Sequence, residues 1–104
     1  MKKAYLIEDC ERMSKEKPEV FAVPPAEELE SLEAGDYVKL VFQNFDRSYG
    51  ERMWVRISLR EGGRFCGNLT EAPAFLSGIA HGDAILFESR HIANIMKASE
   101  SVLK

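Results

Sequence analysis

The sequence is poor in the residues that carry most site chemistry: two cysteines, two histidines and one tryptophan in 104 residues. Cys10 and Cys66 stand far apart with no C-x-x-C spacing, which leaves a zinc knuckle or a redox dithiol without support. His81 and His91 share no ligand spacing with Asp83 or Cys66, so neither a metal nor any other cofactor is expected. No apolar run approaches the roughly 20 residues needed to span a bilayer. Met1-Lys2-Lys3 is followed only by Ala4-Tyr5-Leu6-Ile7 before Glu8-Asp9, too short for the apolar region of a signal peptide. A cytoplasmic protein without a membrane partner is expected, and in that reducing setting both thiols stay free. Positive charge is not in excess: 14 Lys+Arg face 17 Asp+Glu, a net charge of −3. That balance counts against duplex nucleic acid, which favours a strongly basic domain. A glycine-rich phosphate loop is missing as well, because Gly62-Gly63 reads as a hairpin tip rather than a helix start. Glu51 and Glu61 are too isolated to serve as a catalytic carboxylate pair. No catalytic residue is expected.

What remains is an ordinary globular composition, 45% hydrophobic and 30% charged, at a length that builds one core. Residues 1–104 are read as a single domain. Its charge is unevenly spread. Residues 1–34 hold 5 basic and 9 acidic side chains, residues 35–104 hold 9 basic and 8 acidic, and the middle concentrates arginines at Arg47, Arg52, Arg56, Arg60 and Arg64.

The acidic part, 1–34, reads as a helical extension packed on a sheet. Residues 4–7 predict a short strand and 8–17 a helix stopped by Pro18. Val20-Phe21-Ala22-Val23 is extended ahead of Pro24-Pro25, with Ala22 or Val23 available for a short edge pairing. A second helix is expected from Pro25 to Ala34. Proline suits the first helical position, Glu27 and Glu28 favour the N-terminal dipole, and Gly35 supplies a left-handed stop.

From Gly35 to residue 89 the period becomes two, and a β meander is expected. Val38, Leu40 and Phe42 share one face, with Tyr37, Lys39, Val41 and Gln43 on the other. Along 51–60 the odd positions Met53, Val55, Ile57 and Leu59 point inward, and the even ones, Arg52, Trp54, Arg56, Ser58 and Arg60, point outward. Phe65, Gly67 and Leu69 are again odd. Opposed residues of an antiparallel pair share a face, so a three-residue loop Glu61-Gly62-Gly63 is expected, pairing Leu59 with Phe65, Ile57 with Gly67 and Val55 with Leu69. Pro73 ends that strand. Gly82-Asp83 then feeds a strand at 84–88, and Ser89 is read as the cap of a C-terminal helix carrying Ile92, Ile95 and Met96, with residues 90–104 as helix and tail. The fold class expected is α+β: a strongly bent antiparallel sheet of about five strands forming a small SH3-like barrel, with an N-terminal helical segment and a C-terminal helix.

Several stretches resemble an uncharacterised bacterial family, domain of unknown function 2314. They are Pro18-Glu19-Val20-Phe21-Ala22-Val23-Pro24, Leu32-Glu33-Ala34-Gly35-Asp36-Tyr37-Val38-Lys39-Leu40-Val41-Phe42, Glu51-Arg52-Met53-Trp54-Val55, Gly67-Asn68-Leu69-Thr70, and Gly82-Asp83 leading to Phe87-Glu88-Ser89-Arg90-His91-Ile92. The resemblance spans roughly residues 18 to 92. It implies a small bacterial domain found alone or beside others, with no established activity. One departure is Thr70-Glu71-Ala72-Pro73, where the family more usually reads Asn-Asp-Pro.

The sharpest candidate site is the outward face of the central strand. Arg52, Trp54 and Arg56 are successive same-face residues, with Asn68 expected across from Arg56 and Thr70 across from Trp54. A tryptophan between two guanidiniums, edged by an amide and a hydroxyl, is a platform for a carboxylate, phosphate, peptide or base. The competing structural reading covers Trp54 with the N-terminal segment and pairs Arg52 and Arg56 with Glu27, Glu28 or Glu30. The leading functional expectation is a non-catalytic module that binds a protein or peptide partner on this face. Three alternatives come from other classes: a single-stranded nucleic-acid binder using Arg60 and Arg64 as well, a small enzyme or metal protein built on His91, Asp83 and Cys66, and an immunity or inhibitor protein whose acidic residues 1–34 cap a basic partner.

Overall fold

The alternation at 37–43 is realised as a strand, β2 (Tyr37–Gln43), in a computed structural model that describes residues 5–100. Earlier in the chain lie β1 (Leu6–Ile7), α1 (Cys10–Glu16) and α2 (Ala26–Glu30); later come β3 (Gly50–Glu61), β4 (Arg64–Leu69), β5 (Ala84–Glu88) and β6 (Ile92–Met96). Asp9 caps α1 by accepting the Arg12 N–H at 3.0 Å. The second helix is shorter than its sequence signals, ending at Glu30 with Ser31 as its C-cap. Residues 20–23 join no strand. Residues 1–4 and 101–104 are outside the described part, and with them the lysines at the start and the end of the expected tail. No helix among the described residues is long and apolar enough to cross a membrane.

The sheet runs β1–β2–β3–β4–β5, every pair antiparallel, and β6 adds to β2 on the edge that β1 also uses. A single 3₁₀ turn, Ser89–His91, connects β5 at one end of this order to β6 at the other. Three residues bridge that distance only if the sheet curls until its two ends approach each other, so the strands form a nearly closed barrel. Its interior is filled by Val38, Leu40, Phe42, Met53, Val55, Ile57, Leu69, Ile85 and Ile92, all essentially inaccessible to water. Phe65 and Phe87 stack across β4 and β5 with ring centroids 5.1 Å apart.

Two sequence expectations are corrected here, and both corrections are β-bulges. The first concerns the β3–β4 hairpin. Its turn has two residues, Gly62-Gly63, with Glu61 opposite Arg64 and Gly62 at φ 63°. Ile57 still pairs with Gly67 and Val55 with Leu69, because Ser58 is an extra residue and Leu59 falls opposite Cys66. The inward parity therefore holds from Met53 to Ile57 and then inverts: Leu59 is exposed and Arg60 turns toward α2. Gly67 belongs at the tight point of this pairing, since a Cβ there would lie 2.5 Å from the Arg56 carbonyl oxygen.

The second correction is the C-terminal helix. Ile92–Met96 is a strand, β6, antiparallel to β2. Ile92 faces Leu40 and Ile95 faces Val38, with Ala93 as the extra residue between them. A bulge lets two residues three apart share the inward face, and that is the spacing that reads as helical in the sequence. The β-branched isoleucines suit the strand, and β6 satisfies an edge of β2 that would otherwise be open.

Candidate functional site

Outward-facing residues line up in rows across the barrel. One row runs Met96, Tyr37, Arg56, Asn68, Ala84 across five strands, and a neighbouring row runs Asn94, Lys39, Trp54. Val41 is opposite Arg52 in the next row. The structure thus brings Arg52, Trp54 and Arg56 onto one face and sets Asn68 beside Arg56. Thr70 lies just past β4, where its N–H and hydroxyl both donate to the Trp54 carbonyl at 3.0 Å. On the other side of that peptide, the Trp54 N–H donates to a Glu71 carboxylate oxygen at 2.6 Å. Asn68 donates to the Gly82 carbonyl at 3.1 Å.

The Trp54 ring is half-buried, with the Lys39 ammonium 4.9 Å from its centroid. Arg52 sits 5.3 Å from the ring of Phe21, so the stretch between the helices reaches this face through an aromatic rather than an acid. Arg56 is exposed, its guanidinium against Gly35. No ion pair of Lys39, Arg52 or Arg56 occurs among the described residues. The arginine that meets α2 is Arg60. One of its guanidinium nitrogens donates to the carbonyls of Leu29, Glu30 and Leu32 at 3.1, 3.0 and 2.8 Å, and the group stacks 5.0 Å from the Phe65 ring. This caps the C-terminal end of α2. Arg64 sits between Glu61 and Glu88 in a row of its own. Neither arginine joins the Trp54 face.

Sequence reasoning missed two members of that face. Lys39 was already on the outward side of its strand, but the six-residue loop between β2 and β3 leaves their register open. Phe21 belongs to a segment with no period. Glu51, isolated from other carboxylates in the sequence, organises the loop after β4 by accepting the N–H groups of Ala74 and Leu76 at 2.9 Å and that of Phe75. Burial opposes ionisation of this carboxyl, but the three N–H donors outweigh it and hold the group below its ordinary value.

A groove of about 660 Å³ opens elsewhere on the barrel, lined by Tyr5, Leu6 and Ile7 on one side and by Leu86, Phe87 and Glu88 on the other. Phe45, Leu59 and Cys66 also line it, together with the charged Glu61 and Arg64 and with Arg90 and His91 of the 3₁₀ turn. His91 accepts the Glu88 N–H on Nδ1 at 2.9 Å, and Asp83 accepts the Ala80 N–H at 2.9 Å. No cluster of three or more His, Cys, Asp or Glu placed to hold a metal ion is present among the described residues. No family model matches the chain, and neither the curated proteins nor the solved structures contain a significant match to it.

Proposed function

We propose that this protein is a non-catalytic binding module, an SH3-like barrel whose Arg52–Trp54–Arg56 face, with Asn68 and Thr70 at its border, holds an acidic, extended peptide. The observation that carries this reading is a face bearing three cations, Lys39 over the half-buried Trp54 indole and Arg52 and Arg56 two residues to either side of it in the same strand, none with an ion-pair partner among the described residues. An acidic segment supplies the missing counter-charges, while its apolar stems cover the ring. A 3₁₀ turn leading into the last strand supports the SH3-like assignment. Two free thiols, one of them buried, support a cytoplasmic setting. The resemblance to domain of unknown function 2314 fits a small bacterial domain and adds no chemistry to the reading. Single-stranded nucleic acid is the less favoured ligand, because Arg60 and Arg64 are engaged elsewhere and the net charge is −3.

The test is a fluorescence titration of the full chain with the blocked heptapeptide Glu-Thr-Glu-Thr-Glu-Thr-Glu, with oligo-dT as a competitor. Arg56→Glu is expected to weaken peptide binding by about tenfold or more, on the order of 1.4 kcal/mol. Trp54→Ala, followed by calorimetry, is expected to do the same. Equal affinities for wild type and both variants would remove this face from the reading, and a tighter, salt-sensitive complex with oligo-dT would replace the peptide by a nucleic acid.

A further inference from the structure

Six large apolar side chains are well exposed among the described residues, and three of them, Leu59 (64%), Leu86 (64%) and Phe45 (58%), line the same groove. Leu59, Cys66 and Leu86 form one outward row across β3, β4 and β5. The backbone beside them is equally unfinished. The Leu69 N–H donates to the Asp83 carbonyl and the Ser89 N–H to the Gly63 carbonyl. Those two bonds make Asn68/Ala84, Cys66/Leu86 and Arg64/Glu88 the pairs that exchange no hydrogen bonds. Ala84, Leu86 and Glu88 therefore turn their N–H and C=O groups away from β4, toward an edge that no other described strand occupies. His91 takes the Glu88 N–H, and among the described residues no other hydrogen bond engages the outward N–H and C=O groups of Ala84 and Leu86.

We infer that the edge of β5 is a strand-addition site, taking an extended, uncharged segment of a partner protein into the groove between β5 and β1. The unpaired backbone groups call for another extended backbone, since only a strand matches their spacing. The exposed leucine row and Phe45 call for apolar side chains at alternate positions of that strand. Charge complementarity selects a neutral one. Arg90 is already neutralised by Asp9 and Glu88, both at 3.0 Å, and Arg64 lies between Glu61 and Glu88. The groove volume is within the range of ligand-sized sites. An inserted strand would also seal the remaining gap in the barrel. This inference stands apart from the Arg52–Trp54–Arg56 reading, which concerns a charged ligand on a different face.

The probe is the blocked heptapeptide Thr-Val-Thr-Val-Thr-Val-Thr, with a copy N-methylated at every residue, added to the full chain. The plain peptide is expected to bind and to slow exchange of the Leu86 amide by about tenfold or more, while the methylated copy does not bind. Ala84→Pro removes an outward donor at the first residue of an edge strand, where proline is tolerated. Leu86→Lys places a charge at an exposed position of the same edge. Each is expected to weaken the peptide by about tenfold or more with the fold retained, as judged by the amide spectrum, and Trp54→Ala is expected to leave it unchanged. Four results would overturn the inference: no binding at millimolar peptide, an unchanged Leu86 exchange rate at saturation, equal binding of the methylated copy, or a dimer dissolved by Leu86→Lys, which would give the edge to a second copy of the chain.

Discussion

The Lys97 ammonium lies 2.6 Å from the buried carboxylate of Asp36, and through this pair the segment after β6 is fastened to the turn before β2. The same carboxylate accepts the N–H groups of Ala98 at 2.8 Å and Glu33 at 3.0 Å. The Asp36 backbone also joins the turn to β3, its carbonyl accepting the Ile57 N–H at 2.8 Å. Three parts of the chain thus converge on one acid.

Asp36→Asn is expected to destabilise the protein by about 2–4 kcal/mol at neutral pH, because Lys97 keeps its charge and its hydrogen bond to the Ser31 carbonyl but loses the carboxylate that balances that charge. Burial pushes the Asp36 carboxyl up, but the Lys97 hydrogen bond and the two N–H donors outweigh it and hold the group below its ordinary 3.8. A folded-state value below the unfolded one gives stability that is fully present above pH 3.8 and is lost as the pH falls through the folded value. Urea denaturation across the acid range checks both points: the gap between wild type and variant should be widest near neutrality and narrow in acid.

Arg60→Met is expected to lower stability by about 2 kcal/mol, on the order of 10 °C in melting temperature, since the carbonyls of Leu29 and Glu30 at the end of α2 and of Leu32 just after it lose their shared donor. Arg56→Met, at an exposed position, should stay within about 0.5 kcal/mol of wild type. Thermal unfolding of the two variants side by side reads the difference between an arginine that holds the fold and one that is left available.

Trp54 is the single tryptophan, so quenching reports on its surroundings without ambiguity. With Lys39 over the ring and Arg52 and Arg56 flanking it in the strand, iodide should quench its fluorescence more efficiently than caesium at low ionic strength. Added inert salt should shrink the difference as screening shortens the reach of those charges. Equal quenching by both ions at low salt would contradict a cationic rim.

The two thiols are expected to react in sequence with a disulfide reagent. Cys10 is fully buried, and burial pushes its thiol up to about 11, so it should stay unmodified until the chain unfolds. Cys66 is partly accessible in the groove and should react in the native protein. Counting labelled thiols before and after adding denaturant checks this, and the peptide that fills the groove should slow the first phase.

Most of the sheet was legible because alternation survives wherever a strand is regular. Val38, Leu40 and Phe42, then Met53, Val55 and Ile57, then Phe65 and Leu69, all lie inside as their parity requires. The failures sit at Ser58 and Ala93, where one extra residue inverts the parity. A bulge leaves no mark in a hydrophobic pattern except an interruption, and at Ile92–Ile95 the interruption imitated a helix. The candidate face was half legible. Arg52, Trp54, Arg56 and Asn68 follow from one strand pair, whereas Lys39 depends on a register that a six-residue loop does not dictate, and Phe21 on a contact without periodic signal.

Because β2 is flanked by β3 on one side and by both β1 and β6 on the other, its partners come from the beginning, the middle and the far end of the chain. A ribosome delivers β6 last, so until then the nascent protein carries β2 with half of one side bare. Long-range closure of this kind slows folding and prolongs exposure of an adhesive backbone. Until β6 is made, the Tyr37–Leu40 stretch of that edge is therefore open to pairing with a wrong strand.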